Sequence, residues 1–392
     1  MRSLVNDALR ISSLRFTENL AGVWRCHYHS NNTPIIKTID DETLVKVSVG
    51  IGRAVELRIR HPPRPEANSP IIIFLKRGIP TATQNESPLK ELAVGANAIA
   101  VEIDYRLSTQ NGYPIPIHTV LAGYDWVRAH LARGGDISYQ ELRLTTKPSR
   151  IGVCGELAGG SLATMLALTE CHHTPVELEA QGISALAVGN PILDWTALTQ
   201  SDFNQNAPQP GIIRKGIIRK MGGFPKGANN ESLSANGLCS IREAFFPKVE
   251  RYFDPFASPL LFFRTPSSEI LNDAAASTER SLLNHGPEDE KRLLPPAKKR
   301  LSVRKYPPPG SNLMLPWTRV EVGKDFVLKD QGVDLIELMR KSFRRSEVEG
   351  LAEVKNAGSR NFEIVERGGI GLWDEKHMLE IGQWFGEKLR KP

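Results

Sequence analysis

The residues able to do chemistry fall in a few short stretches. Residues 149–163, SRIGVCGELAGGSLA, run from an apolar strand-like segment through small residues into a helix-like one. Gly155, Gly159 and Gly160 would let a strand and a helix approach closely around a sharp turn. That arrangement can hold one side chain over the end of a sheet for nucleophilic attack. The residue at the tip of the turn is Leu157, which has no group able to attack a carbonyl. Ser161 lies four residues on, one helical turn deeper, where a serine would serve the helix start. Glu156 and Ala158 flank the tip, and Cys154 on the preceding strand reads as a buried apolar filler.

A second group follows the apolar run PIIIFL at 70–75: Lys76, Arg77 and Gly78. Two cations at a strand end facing a pocket could serve carbonyl chemistry. A desolvated lysine loses part of its pKa, and its amine could take a proton from an acidic C–H, form a Schiff base or steady an enolate. The plainer alternative turns both side chains to solvent. His377 sits in an amphipathic pattern and reads as a packing or surface residue, while His118 is expected to cap or pack its helix.

The elements that must position these residues follow from periodicity. Residues 45–61 alternate apolar and polar around a glycine-containing break, as two joined strands do. PIIIFL, IAVEIDY, SRIGVC, ALAVGN, WTRVEV and NFEIVE read as strands, and the segments between several of them carry helical spacing. This order predicts an α/β chain with a mostly parallel central sheet and helices on both faces. Gly, Pro, Asn and Ser crowd residues 197–312, so that stretch reads as a cap insertion. The expected division is an N-terminal arm at 1–44, core at 45–196, insertion at 197–312 and core again at 313–392.

Composition narrows the function classes. With 40% hydrophobic and 24% charged residues in 392, a sizeable core is available and wholesale disorder is excluded. A net charge of +6 from 50 basic and 44 acidic side chains argues against a nucleic-acid binder. The basic, proline-containing run 291–305 reads as a solvated loop. Cys26, Cys154, Cys171 and Cys239 stand far apart, which suggests a reduced, cytoplasmic protein without a metal site. No apolar run is long enough to span a membrane, the N-terminus lacks the apolar block of a secretory signal, and no cofactor motif is visible. A homo-oligomer is compatible with all of this.

Taken in order, PIIIFL, VEIDYRL at 101–107, GELAGGSLA, NPILDWT at 190–196 and WTRVEVGKDFVLKDQG resemble the α/β-hydrolase superfamily, in its hormone-sensitive-lipase-like branch. The segment YFDPFASPLLFFRTP further resembles fungal α/β-hydrolase-like proteins, many of them from secondary-metabolite pathways. The resemblance implies the α/β-hydrolase fold and places the family's nucleophilic serine on Leu157. It puts the oxyanion motif on Lys76, Arg77 and Gly78, the triad acid on Phe326 with Asp325 beside it, and the triad histidine near Gly371. The triad is therefore degenerate at all three positions. The pocket is expected to involve Gly78, Glu156, Ala158, Ser161, Asp325 and His377 around a small, apolar substrate.

The leading expectation, implied by the fungal resemblance, is a non-hydrolytic enzyme that promotes a Knoevenagel-type ring closure of a reactive polyketide or polyketide–peptide carbonyl, driven by holding the two ends together. One alternative is an ester, lactone or thioester hydrolase with a rearranged site. Another is a catalytically silent binding or scaffold protein.

Overall fold

The computed structural model describes residues 35–39, 42–48, 54–66, 68–79, 87–105, 107, 111–132, 149–171, 182–198, 233–265, 304–308, 313–348 and 362–390. The strands are β1 (Ile35–Ile39), β2 (Glu42–Ser48), β3 (Ala54–Arg60), β4 (Ile71–Leu75), β5 (Ile99–Asp104), β6 (Ile151–Glu156), β7 (Ile183–Gly189), β8 (Trp317–Gly323) and β9 (Phe362–Arg367). They form one sheet in the order β1-β2-β3-β5-β4-β6-β7-β8-β9. β1, β2 and β3 pair antiparallel, β3 joins β5 the same way, and every pairing from β5 to β9 is parallel. The sheet thus starts at Ile35, inside the segment expected to be an arm, and resumes at Trp317.

All five residues of β4 are buried, as a continuous apolar run in a strand covered on both faces should be. Its side chains alternate: Ile71, Ile73 and Leu75 enter one core, Ile72 and Phe74 the other. The first core is covered by α2 (Ile115–Val127), α3 (Leu157–Thr169) and α5 (Lys329–Val348). The second lies under α1 (Leu89–Ala96) and α6 (Glu375–Arg390), where Leu92, Ala93, Ile381 and Phe385 meet the sheet.

α3 is buried from Leu157 to Leu168 on every side. The described part of the insertion holds α4 (Ala235–Phe245) and two short 3-10 turns, Val249–Phe253 and Pro259–Phe262, and the second turn packs on α3. Most of the basic run, residues 291–303, lies outside the described residues, as does Cys26. Cys154, Cys171 and Cys239 are free and buried. Among the described residues no helix is long and apolar enough to cross a membrane.

Candidate functional site at the elbow

β6 passes into α3 without a loop. Glu156 is still extended, at φ −121° and ψ 155°, and Leu157 turns the chain with φ +52°. Left-handed backbone costs a residue with a Cβ about 1–2 kcal/mol and persists only where its surroundings over-determine it. Here the close approach of strand and helix does so. A Cβ on Gly159 would stand 1.9 Å from the Lys76 carbonyl oxygen, and one on Gly155 would stand 2.8 Å from that of Leu75. The nucleophile elbow therefore survives in full backbone geometry, with a fully buried leucine at its tip.

Beside it, the donors an oxyanion would need are already taken. The Ala158 N–H donates to the Arg77 carbonyl at 3.2 Å, and the Gly159 N–H to the same oxygen at 3.4 Å. Gly78 has φ +67° and no room for a Cβ, which would fall 2.4 Å from the Tyr105 hydroxyl.

The positions expected for acid and histidine are brought close to one another but hold Phe326 and Gly371, with Asp325 beside them. Phe326 is buried in the first core, whereas Asp325 is exposed and its N–H donates to the Gly369 carbonyl at 3.0 Å. Gly371 has φ +68°. Asn190 ties this corner together: its side-chain amide donates to the Ile370 carbonyl at 2.7 Å and accepts from the Gly323 N–H at 2.8 Å. His377 belongs elsewhere. Its Nδ1 lies 2.6 Å from Asp374 Oδ1, which also accepts the His377 N–H, so Asp374 caps the start of α6 and His377 completes an exposed pair. The bond from the His377 N–H, with the ring beside it, holds the Asp374 carboxyl below its ordinary range.

Lys76 and Arg77 do not face the pocket as unpaired cations, which corrects the expectation drawn from their position. Lys76 follows the alternation of Ile72 and Phe74 toward the second core, and its Nζ lies 2.8 Å from Oε1 of the buried Glu102. Arg77 donates from Nε to Glu156 Oε2 at 2.7 Å and from its guanidinium to the Trp373 carbonyl at 2.6 Å. Glu156 Oε1 in turn accepts the Trp373 N–H at 2.7 Å. Both cations pair with buried carboxylates on strands, which need such partners out of water; Arg77 is itself largely buried, whereas the Lys76 side chain stays 44% exposed, as the plainer alternative had it in part. Ser161 is likewise not at a cap. It lies in the second turn of α3 and its hydroxyl donates to the Ala257 carbonyl at 3.3 Å. Cys154 is the buried filler expected, and burial pushes its thiol up. Burial lowers His118, near the start of α2.

Sequence reasoning missed Trp373. Its ring fills the space above Gly189, where a Cβ would lie 2.7 Å from it, and its indole N–H donates to Glu321 Oε2 at 3.0 Å. Glu321 also accepts from Arg319 and Arg367, and Arg367 reaches Glu380. A small strand-end residue, Gly189, and a large aromatic residue after GGIG were the only signals in the chain.

The two carboxylates on either side of β7 are pushed apart. Burial raises Glu156 to about 7 against the pull of Arg77 and the Trp373 N–H. Burial also pushes Glu321 up, but hydrogen bonds from Arg367 and Arg319 outweigh it and leave the group below its ordinary value. Folded Glu156 keeps its proton to higher pH than the unfolded side chain, so its contribution to stability is full below the unfolded value of 4.5 and lost as pH rises toward about 7. Glu321 acts oppositely: its contribution is present above pH 4.5 and fades as pH falls through its lower folded value. Denaturant titrations at about pH 5 and about pH 8 check this, since Glu156→Gln should flatten the difference between them. An unchanged difference would remove Glu156 as its source.

No group of three or more His, Cys, Asp or Glu side chains among the described residues could hold a metal ion.

Comparisons with known proteins agree with this architecture. A family model described as the alpha/beta hydrolase fold matches residues 78–224. Carboxylesterase NlhH of Mycobacterium tuberculosis is 32% identical over 177 residues, 42% of this chain and 47% of that protein. The 3-O-acetylpapaveroxine carboxylesterase of Papaver somniferum is 26% identical over 187 residues, 44% of this chain and 58% of that protein. The chain thus spans about half the length of these curated relatives. Among solved structures, an esterase from the hyperthermophilic archaeon Pyrobaculum calidifontis superposes with a TM-score of 0.51 at 16% identity, covering 90% of this chain and 84% of its own. The carboxylesterase EstE1 from a metagenomic library gives 0.51 at 14% identity, covering 91% and 92%. Strand order, elbow geometry, family model and structural neighbours converge on one conclusion: this chain has the α/β-hydrolase fold.

Proposed function

We propose that this chain is an esterase-like α/β-hydrolase protein that takes a small, apolar ester or other carbonyl compound at the carboxyl edge of its sheet, without turning it over through a serine acyl-enzyme. The ligand class is supported by the carboxylesterase relatives and by the edge itself, where open α/β sheets bind ligands. The observation that carries the second half is the elbow. It keeps its strained backbone, presents Leu157, and spends the Ala158 N–H on the Arg77 carbonyl. Serine hydrolysis needs nucleophile, base and oxyanion donors together, and losing the nucleophile alone costs orders of magnitude in rate.

Hydrolysis by a rearranged site is the second reading, favoured by the activity for which the relatives are named. Ring closure of a reactive carbonyl rests on the fungal resemblance. With Lys76 and Arg77 each paired to a buried carboxylate, it retains only the advantage of holding two ends together.

A panel of nitrophenyl esters of increasing chain length separates these readings. The purified chain is expected to bind such esters and hydrolyse none above the rate of heat-denatured protein. Leu157→Ser is expected to add no turnover, because the histidine candidate His377 stays bonded to Asp374. Genuine wild-type turnover would establish the rearranged hydrolase and overturn the reading given first.

A further inference from the structure

Under the described part of the insertion lies a group of polar atoms that the elbow does not use. Tyr113, just before α2, is 1% exposed, and among the described residues its hydroxyl has only the Ser161 side chain beside it, without a well-formed hydrogen bond. Trp195, just after the NPIL turn, is fully buried, and its indole N–H has no hydrogen-bond partner among the described residues. The two rings flank one phenylalanine: Tyr113 stacks on Phe246 at 4.4 Å between centroids, and Trp195 meets Phe246 edge-on at 5.5 Å. Their backbones are fixed independently. The Tyr113 N–H donates to the Phe245 carbonyl at 3.0 Å, and the Trp195 N–H donates to Ser258 Oγ at 3.1 Å. Both residues therefore hold their places without using their side-chain donors.

A buried donor left unbonded is costly, so a lone one is an exception that calls for an occupant. Two of them lie in an aromatic setting at the carboxyl edge of the sheet. Ser161 stands on the same stripe of α3 as Leu157, four residues apart, so this spot adjoins the elbow tip. An aromatic lining with a few polar groups is how a small-molecule site is built.

We infer that the Tyr113 hydroxyl and the Trp195 N–H form the polar anchor for the oxygen of an apolar carbonyl ligand, with the Ser161 hydroxyl beside it. The inference rests on the reading above that the ligand is such a compound, and it moves recognition of the oxygen from the backbone donors of the elbow to side chains under the insertion. Because Ser161 already donates to the Ala257 carbonyl, it can accept the Tyr113 O–H when no ligand is bound, and that one proton then turns from Ser161 to the ligand oxygen.

The test uses the full chain, with tryptophan fluorescence as readout and cyclooctanone as probe; cyclooctane is the oxygen-free control. Wild type should bind the ketone more tightly than the hydrocarbon. Tyr113→Phe, which removes only the hydroxyl, should weaken ketone binding by about tenfold and leave hydrocarbon binding unchanged. Without ligand the same variant should melt close to wild type, since the hydroxyl it lacks has only Ser161 beside it. If wild type and Tyr113→Phe bind the ketone equally, the anchor is overturned and the broader reading stands. If the unliganded variant melts markedly earlier, the hydroxyl is structural and the anchor is overturned by that route. Should wild type bind neither compound, the carbonyl-ligand reading fails and takes the anchor with it.

Discussion

Arg77→Met is expected to destabilise the protein by about 3–5 kcal/mol, because it strands a buried carboxylate. Glu156 is 1% exposed, and among the described residues Arg77 pairs with it at 2.7 Å. The loss does not end with that pair, since the Arg77 guanidinium also holds the Trp373 carbonyl and Glu156 holds the Trp373 N–H. The two peptide groups flanking Trp373, in the loop after β9, are thus held by one ion pair. Equilibrium denaturation measures the loss, and the double variant Arg77→Met with Glu156→Gln should recover much of it, because no buried charge is then left alone. A single-variant loss below about 1 kcal/mol would show that the carboxyl stays neutral and needs no partner.

Gly159→Ala is expected to abolish folding under ordinary conditions, at a cost above about 4 kcal/mol. The added methyl would sit 1.9 Å from the Lys76 carbonyl and 2.5 Å from that of Leu75, and both are backbone atoms of the sheet's centre with nowhere to move. Gly368→Ala is the matched control. Nothing lies within 4 Å of its Cβ position, so its effect should stay within about 0.5 kcal/mol. Soluble expression and thermal melting of the two variants check the pair. A Gly159→Ala protein that melts like wild type would mean that α3 does not press on β4 as described.

The fold was legible because its signals are local. Five apolar residues in a row mark β4, and glycines around GELAGG mark the strand-to-helix turn, so alternation of strands and helices could be read in order. Leu157, Phe326 and Gly371 could be placed by motif, and they lie at the elbow, after β8 and after β9. The direction of Lys76 and Arg77 was not legible, since it is set by carboxylates far along the chain: Glu156 is 79 residues from Arg77. The strand pattern says that residues 76 and 77 leave the sheet at its carboxyl edge. Only the assembled sheet says which buried acid each one meets. Trp373 escaped for the same reason, because its role depends on the empty space above Gly189 and on Glu321, 52 residues before it. Nothing local to Trp373 announces either.

The bond from the Ala158 N–H to the Arg77 carbonyl bears on history as well as chemistry. A lineage that lost its serine and nothing else could regain it by one codon change. On the reading proposed above, a returning serine at position 157 would stand beside an amide whose N–H is already bonded, so the segment carrying Arg77 would have to move as well. For protein engineers the chain is then a harder starting point for a serine esterase than one that differs at the elbow tip alone.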